Sequence, residues 1–136
     1  MLFRSLIQRG TLQLRQDAEP LTYHDPCYLG RHNGVYDAPR EVLAAVASGG
    51  IREMPRNRSA SLCCGAGGGY AWMDDKLPAR INHTRFQEAQ ESGAKTAAVS
   101  CPFCMQMFED AIRVKDPQRR MRAADIAELV ADALAT

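Results

Sequence analysis

The spacing of apolar residues along the chain predicts several amphipathic helices. The first lies at the very start, where Leu2, Phe3, Leu6 and Ile7 recur at helical spacing before Gly10, a helix-stopping residue. Because the helical pattern is present from the first residues, we expect the chain to begin inside a helix, as a fragment of a longer protein would.

Each later helix has a capping residue before it or a proline in its first turn. The predicted helices span residues 39–47 after Asp37, residues 76–92 after Asp75, residues 102–114 from Pro102, and the last segment after Asp125. Asp125 and Glu128 have the spacing of a capping box, which satisfies two otherwise unpaired amides at a helix start.

Short apolar or alternating runs between these helices predict strands. The runs are residues 11–15, 21–25, 51–54, 95–100 and 121–123. Strands that alternate with helices are typical of an α/β domain with a mostly parallel sheet flanked by helices. Functional groups in such sheets lie at the carboxyl ends of the strands. We therefore expect Cys27 and Cys101, which both follow predicted strands, at one edge of the sheet.

Composition narrows the class of protein. A chain of 136 residues and 15.0 kDa suits one compact domain, and 46% hydrophobic residues with a net charge of +1 are ordinary for a soluble globular protein. Nothing in this charge calls for nucleic acid or a membrane surface. We find neither a signal peptide nor the run of about 20 apolar residues of a membrane-spanning helix, and expect a cytoplasmic protein.

The cysteines are the strongest chemical signal in the sequence. They stand as a single residue, an adjacent pair and a C-x-x-C pair, namely Cys27, Cys63-Cys64 and Cys101-Pro-Phe-Cys104. An odd number in this arrangement is poorly suited to structural disulfides, so metal or redox chemistry is the better interpretation.

The adjacent pair helps to discriminate between metals. Neighbouring Cα atoms are about 3.8 Å apart, so two successive thiolates on one tetrahedral ion would close a strained ring, whereas two irons of one cluster suit them. A structural zinc site that uses four of the five cysteines stays open as an alternative. So does a metal-free thiol–disulfide enzyme in which Cys101 and Cys104 cycle.

A glycine-rich stretch follows the adjacent pair. Residues 65–69 offer little side-chain bulk, so backbone amides can approach sulfur there and tune a cluster. A dinucleotide-binding loop is disfavoured, because the G-x-G-x-x-G spacing is absent. The predicted helix from Pro102 would direct its positive end at Cys101, which favours a thiolate.

Several other residues near the cysteines could act at the same site. His24, Asp25, Arg31 and His32 flank the first cysteine and could donate hydrogen bonds or protons, although most such residues only satisfy loop backbone groups. Two further groups have a functional and an ordinary interpretation: Tyr70, Trp72 and Met73 as a cluster shield or as core, and Arg52, Arg56 and Arg58 as a docking surface or as solvated loop.

The cysteine pattern resembles that of a known family. Cys27, Cys63-Cys64-Gly65 and Cys101-x-x-Cys104 match the signature of the CCG, or cysteine-rich, domain in order and spacing. Residues 23–34 and 63–69 also look like bacterial iron-sulfur oxidoreductases of this family. The family includes the B subunit of heterodisulfide reductase, the glycolate oxidase iron-sulfur subunit, and membrane-associated oxidoreductases that pass electrons from flavoproteins to menaquinone. The resemblance covers about residues 10–135.

This resemblance implies an electron-transfer domain of an iron-sulfur oxidoreductase. Its five cysteines, Cys27, Cys63, Cys64, Cys101 and Cys104, would hold a non-cubane [4Fe-4S] cluster. Residues 21–136 would form the domain, and residues 1–20 the end of a preceding helix and a short strand.

The resemblance also implies partners. They would be a flavoprotein or ferredoxin-like donor and other iron-sulfur domains or subunits, with quinone or a disulfide as acceptor. Contact with the inner face of the membrane would come only through a partner. Relatives usually carry two CCG motifs, whereas this chain has one.

Overall fold

Three parallel strands form the centre of the fold in the computed structural model, which describes residues 2–73 and 77–134. They are β1 (Leu21–Tyr23), β2 (Thr96–Val99) and β3 (Arg122–Asp125), in the order β1-β2-β3. Tyr23 pairs with Ala98, and Val99 pairs with Asp125. The carboxyl ends of the strands therefore lie at one edge.

Five α-helices surround this sheet within the described residues. They are α1 (Leu2–Gln8), α2 (Asp37–Val46), α3 (Ile81–Glu91), α4 (Pro102–Lys115) and α5 (Ile126–Ala133), and short 3-10 turns cover Arg58–Ala60 and Gly67–Trp72. The predicted α/β fold, a parallel sheet flanked by helices, is confirmed. A membrane-crossing helix is absent from residues 2–73 and 77–134, where every helix is too short or too polar for that role.

The central strand is buried on both faces. Ala97 and Val99 belong to a core shared with α3 and α4, whereas Ala98 belongs to a second core shared with α2 and α5. All three side chains are fully buried. Small apolar residues on both faces let helices pack closely on either side, which is why the strand reads as a continuous apolar run.

The local start signals of the last two helices act as predicted. Cys101 is the N-cap of α4, with Pro102 in its first turn. At α5, Asp125 accepts a hydrogen bond from the Ala127 amide (2.8 Å), and Glu128 accepts one from the Asp125 amide (2.9 Å). This capping box fixes the direction in which the chain leaves β3.

Two predicted strands are wrong. Residues 11–15 make only an isolated bridge, between Leu14 and Leu134, and residues 51–54 make only one, between Ile51 and Leu21. An alternating sequence becomes a strand only if a neighbouring strand supplies a ladder of hydrogen bonds, and neither run has one.

Two predicted helix starts also need correction. Asp37 lies inside the first turn of α2 and pairs with Arg58 (2.6 Å), while Tyr36 holds the N-cap position without a side-chain bond. Helix α3 begins at Ile81, because Pro78 disfavours helical geometry in the residue before it. The predicted cap Asp75 and the predicted start at residue 76 lie outside the described residues.

Candidate functional site

Four of the five cysteines face one cavity at the carboxyl edge of the sheet. Cys27 lies four residues beyond β1, and Cys101 lies two residues beyond β2. Together with Cys64 and Cys104 they line a cavity of about 520 Å³. The fold thus brings three separate stretches of the chain to one place, as the positions of the predicted strands required.

Cys63 lies in the wall of this site rather than in the main cavity. It lines a smaller adjoining cleft together with Cys27, which borders both spaces. Its thiol shares a hydrogen bond with the thiol of Cys64, which in turn shares one with Cys104. All five cysteines are free. The sulfurs of the loop and of α4 therefore already form one connected group.

Backbone amides of the glycine-rich stretch point at these sulfurs. The Gly65 amide donates to Cys63 Sγ at 3.3 Å, the Gly67 amide also donates to Cys63, and the Ala66 amide donates to Cys64. Hydrogen bonds of this kind stabilise negative charge on sulfur. The predicted approach of amides to sulfur is present in the structure.

Gly65 holds this loop in place through its backbone geometry. Its φ of +95° is one that L side chains rarely adopt, and a Cβ there would lie 3.3 Å from the Asn82 amide nitrogen and from Ile81 Cβ. At Gly67 the nearest atom to an added Cβ is Cys63 Sγ, at 3.8 Å. The loop therefore fits closely between the sulfurs and the start of α3.

The shared hydrogen bonds keep the thiols protonated. The bond with Cys104, partly offset by Cys63 and reinforced by burial, raises the pKa of Cys64 to about 12. The bond with Cys64, together with burial, likewise raises the pKa of Cys63, against the lowering effect of the Gly65 and Gly67 amides. A metal that binds here must displace these protons.

His24 lies beside the sulfurs, directly after β1. One ring nitrogen of His24 and the sulfurs of Cys64 and Cys104 lie within 4.8 Å of one another, and all three residues are buried. Its Nδ1 accepts a hydrogen bond from Arg85 Nε at 2.9 Å, and its ring packs against Phe108. Burial, followed by the charge of Arg85, lowers the pKa of His24 to about 3. The imidazole is therefore neutral at physiological pH.

Arg85 is a site residue that the sequence analysis missed. Its side chain is fully buried and donates to Glu88 (2.5 Å), to the Arg56 carbonyl (2.7 Å) and to Ser61 Oγ (3.2 Å). Burial lowers the pKa of Arg85, and the bond with Glu88 offsets part of this effect. The sequence signal was the Arg85–Glu88 spacing on one helix face, which gave no hint of His24 as a partner.

Asp25 and Arg31 hold the loops around the site in place. Asp25 forms a bidentate pair with Arg40 and accepts a bond from the Arg58 amide at 2.7 Å. Although burial alone would raise it, the pKa of Asp25 lies below its usual value because of these bonds. Arg31 donates to the Ser61 carbonyl at 2.9 Å. Both residues thus follow the ordinary interpretation of satisfying loop groups.

Exposed aromatic side chains border the mouth of the cavity. Trp72 is 84% exposed, Tyr28 74% and Phe103 61%, and all three line the cavity. His32 is also exposed and packs against the Tyr28 ring. The core interpretation of Trp72 is therefore wrong, and that of Met73 fails as well, since it is 63% exposed.

The arginines considered as a docking surface have partners within the chain. Arg52 donates to the Gly93 carbonyl, Arg56 pairs with Glu88, and Arg58 pairs with Asp37.

Comparison with known proteins identifies the class of domain that this fold and site define. The family profile of the CCG cysteine-rich domain matches residues 21–109, and the chain belongs to that family. The chain is 38% identical over 130 residues to the probable iron-sulfur-binding oxidoreductase FadF of Bacillus subtilis, which covers 95% of the chain and 18% of that relative.

Two further relatives have named redox activities. The chain is 38% identical over 117 residues to the EtfAB:quinone oxidoreductase of Syntrophomonas wolfei (81% of the chain, 16% of the relative). It is 42% identical over 116 residues to one subunit of the dihydromethanophenazine:CoB–CoM heterodisulfide reductase of Methanosarcina barkeri (84% and 27%). The chain spans less than a third of the length of these relatives. No solved structure matches it.

Proposed function

We propose that this chain is an iron-sulfur electron-transfer domain in which Cys27, Cys63, Cys64, Cys101 and Cys104 hold one [4Fe-4S] cluster of the non-cubane type. The observation that carries the proposal is the meeting of three cysteine-bearing stretches around one cavity. The names of the relatives, an iron-sulfur-binding oxidoreductase and a heterodisulfide reductase among them, support the same chemistry.

The residues present fit such a cluster. They supply five free thiols, amides at residues 65–67 that donate to sulfur, and a cavity with room for an inorganic core. Once bound, an iron-sulfur cluster takes up and releases single electrons. The loop amides would offset part of the charge on sulfur, and the buried positions of Cys64 and Cys104 would keep water away from that side.

The proposed partners follow from the same site. The donor would be a flavoprotein or ferredoxin-like domain, and the acceptor quinone or a disulfide, as the names of the relatives suggest. Other iron-sulfur domains or subunits would complete the path, and any contact with a membrane would come through a partner. Exposed Tyr28, Trp72 and Phe103 at the cavity mouth offer the contact surface closest to the cluster.

A structural zinc site is the second candidate. It is favoured by the close set of His24, Cys64 and Cys104, whose ligand atoms lie within 4.8 Å of one another. A zinc ion held by four cysteines would leave one thiol of the site without a role.

Metal analysis of anaerobically purified protein separates the two candidates. We expect a brown protein with iron and acid-labile sulfide in equal amounts, about four of each per chain. A colourless protein that contains one zinc and no sulfide would overturn the proposal in favour of the structural site.

Serine variants at each of the five cysteines test the ligand set. Each should lower the iron and sulfide content, because a hydroxyl is a poor ligand for these irons. Met73→Ser, which removes an exposed sulfur-containing side chain near the same loop, is the matched control and should retain the cluster. If a cysteine variant keeps full iron, sulfide and spectrum, that residue is not a ligand.

A further inference from the structure

The hydrogen bond between Arg85 and His24 fixes where the imidazole carries its proton. Arg85 Nε lies 2.9 Å from His24 Nδ1. A guanidinium group has only donors, so Nδ1 must offer its lone pair, and the single proton of the neutral ring must be on Nε2.

The surroundings of Arg85 keep this arrangement from reversing. The guanidinium also donates to Glu88 (2.5 Å), to the Arg56 carbonyl (2.7 Å) and to Ser61 Oγ (3.2 Å), and the side chain is fully buried. Its nitrogens are therefore engaged on several sides and cannot turn away from the ring. Phe108 packs against the same imidazole, with 5.3 Å between ring centroids, and restricts its rotation.

This arrangement argues against His24 as a metal ligand. A histidine that binds a metal donates its other ring N–H to an acceptor such as a carboxylate or a carbonyl. The second nitrogen of His24 faces a donor instead. The nitrogen left to act near Cys64 and Cys104 therefore carries a hydrogen, and the group it can serve is a sulfur with negative charge.

We propose that His24 is a positioning residue that donates its Nε2–H to sulfur at Cys64 or Cys104 and thereby raises the reduction potential of the cluster. The inference rests on the proposed function, since it concerns sulfur in the ligand sphere of that cluster. A hydrogen bond to sulfur stabilises the more negative, reduced state more than the oxidised one. Arg85 acts through His24 by fixing its tautomer.

Variants of His24 test the proposal through the reduction potential of the reconstituted chain. His24→Leu removes the N–H, His24→Gln supplies an amide N–H in its place, and His32→Leu removes an exposed histidine from the same loop as a control. We expect a more negative potential for His24→Leu, and values close to wild type for His24→Gln and His32→Leu. An unchanged potential in a fully loaded His24→Leu chain overturns the inference.

Iron and sulfide contents measured on the same samples keep the two claims apart. A wild-type chain without a cluster would refute the proposed function itself. A loaded wild type whose potential does not respond to His24 would refute only the role of His24.

Pulsed EPR of the wild-type protein provides a measurement that does not depend on the folding of a variant. With ¹⁵N-labelled histidine, a nitrogen one hydrogen bond away from the cluster gives a weak coupling, which should persist in His32→Leu. A strong coupling, as for a nitrogen bonded directly to iron, would make His24 a ligand and overturn the inference. Absence of any nitrogen coupling would overturn it as well.

Discussion

Arg40 connects two segments that carry the site. Its guanidinium donates to both carboxylate oxygens of Asp25, at 2.7 and 2.8 Å, and also binds Glu53. The Arg40 and Asp25 side chains are only 9% and 2% exposed. Because Asp25 comes two residues before Cys27, this buried pair fixes the loop that positions the first cysteine against α2.

Arg40→Met should destabilise the fold strongly. The substitution leaves the buried carboxylate of Asp25 without its partner, and breaking such a pair costs about 3–5 kcal/mol. Equilibrium urea unfolding measures the change. Arg4→Met, which breaks the exposed pair with Glu41, is the matched control and should cost less than about 1 kcal/mol. Equal losses in the two variants would contradict a structural role for the buried pair.

At the residue scale, the cysteines could be predicted from the sequence but their neighbours could not. The spacing of Cys27, Cys63-Cys64 and Cys101-x-x-Cys104 is local information that one chain carries by itself. The bond between Arg85 and His24 joins residues 61 positions apart, and no local pattern marks it. Only the folded arrangement shows that a buried arginine sets the state of the histidine.

Among the elements, the glycine-rich loop depends on one residue more than on the others. Gly65→Ala forces a Cβ onto a backbone with φ of +95°, close to α3, and should cost on the order of 1–3 kcal/mol. Gly67→Ala is the matched control, because its Cβ would meet only ordinary contacts. Urea unfolding of the cluster-free chains compares them. If the two variants are equally stable, the backbone geometry assigned to Gly65 is incorrect.

The connection between α4 and β3 should respond to pH. Asp116 accepts hydrogen bonds from the Met121 amide (2.9 Å) and from Arg120 (3.1 Å), which lower the pKa of its carboxyl. A carboxyl with a lowered pKa in the folded state stabilises the fold above its usual value near 4. That contribution is lost as pH falls through the lower, folded-state value.

Asp116→Asn should therefore destabilise the cluster-free chain at pH 7 and matter less at pH 3. Urea unfolding at both pH values measures the difference between variant and wild type. Asp132→Asn, on the exposed face of α5, should change little at either pH. A loss from Asp116→Asn that is the same at pH 7 and pH 3 would show that its ionised form does not stabilise this connection.

Elements with strong local signals could be predicted, and those that depend on distant partners could not. Pro102 and the Asp125–Glu128 capping box mark the starts of α4 and α5 within a few residues. Whether residues 11–15 form a strand depends on what lies beside them, and the fold provides only the single bridge to Leu134. Pairing of that kind is not encoded locally.

At the scale of the whole molecule, the site faces outward through an aromatic rim. Trp72 and Phe103 are exposed at the mouth of the cavity that the cysteines line. Exposed aromatic residues are those that most often dominate binding to a protein partner. An electron donor that docks on this rim would come close to the cluster without any rearrangement of the sheet.

Trp72→Ser combined with Phe103→Ser should slow electron transfer without altering the cluster. We expect the second-order rate constant for reduction by a small flavoprotein, reduced flavodoxin, to fall about tenfold, measured by stopped-flow absorbance. Leu2→Ser removes an exposed apolar side chain that does not border the cavity, and should leave the rate unchanged. An equal rate in the rim variant would exclude the rim as the docking surface.

Iron K-edge X-ray absorption of the anaerobic chain tests most directly whether cysteines from three stretches surround one inorganic core. The account predicts sulfur neighbours and a second shell of iron around each iron, with both shells diminished in Cys27→Ser, Cys64→Ser and Cys104→Ser. Iron with oxygen or nitrogen neighbours and no iron shell, or a spectrum that these substitutions leave intact, would contradict it.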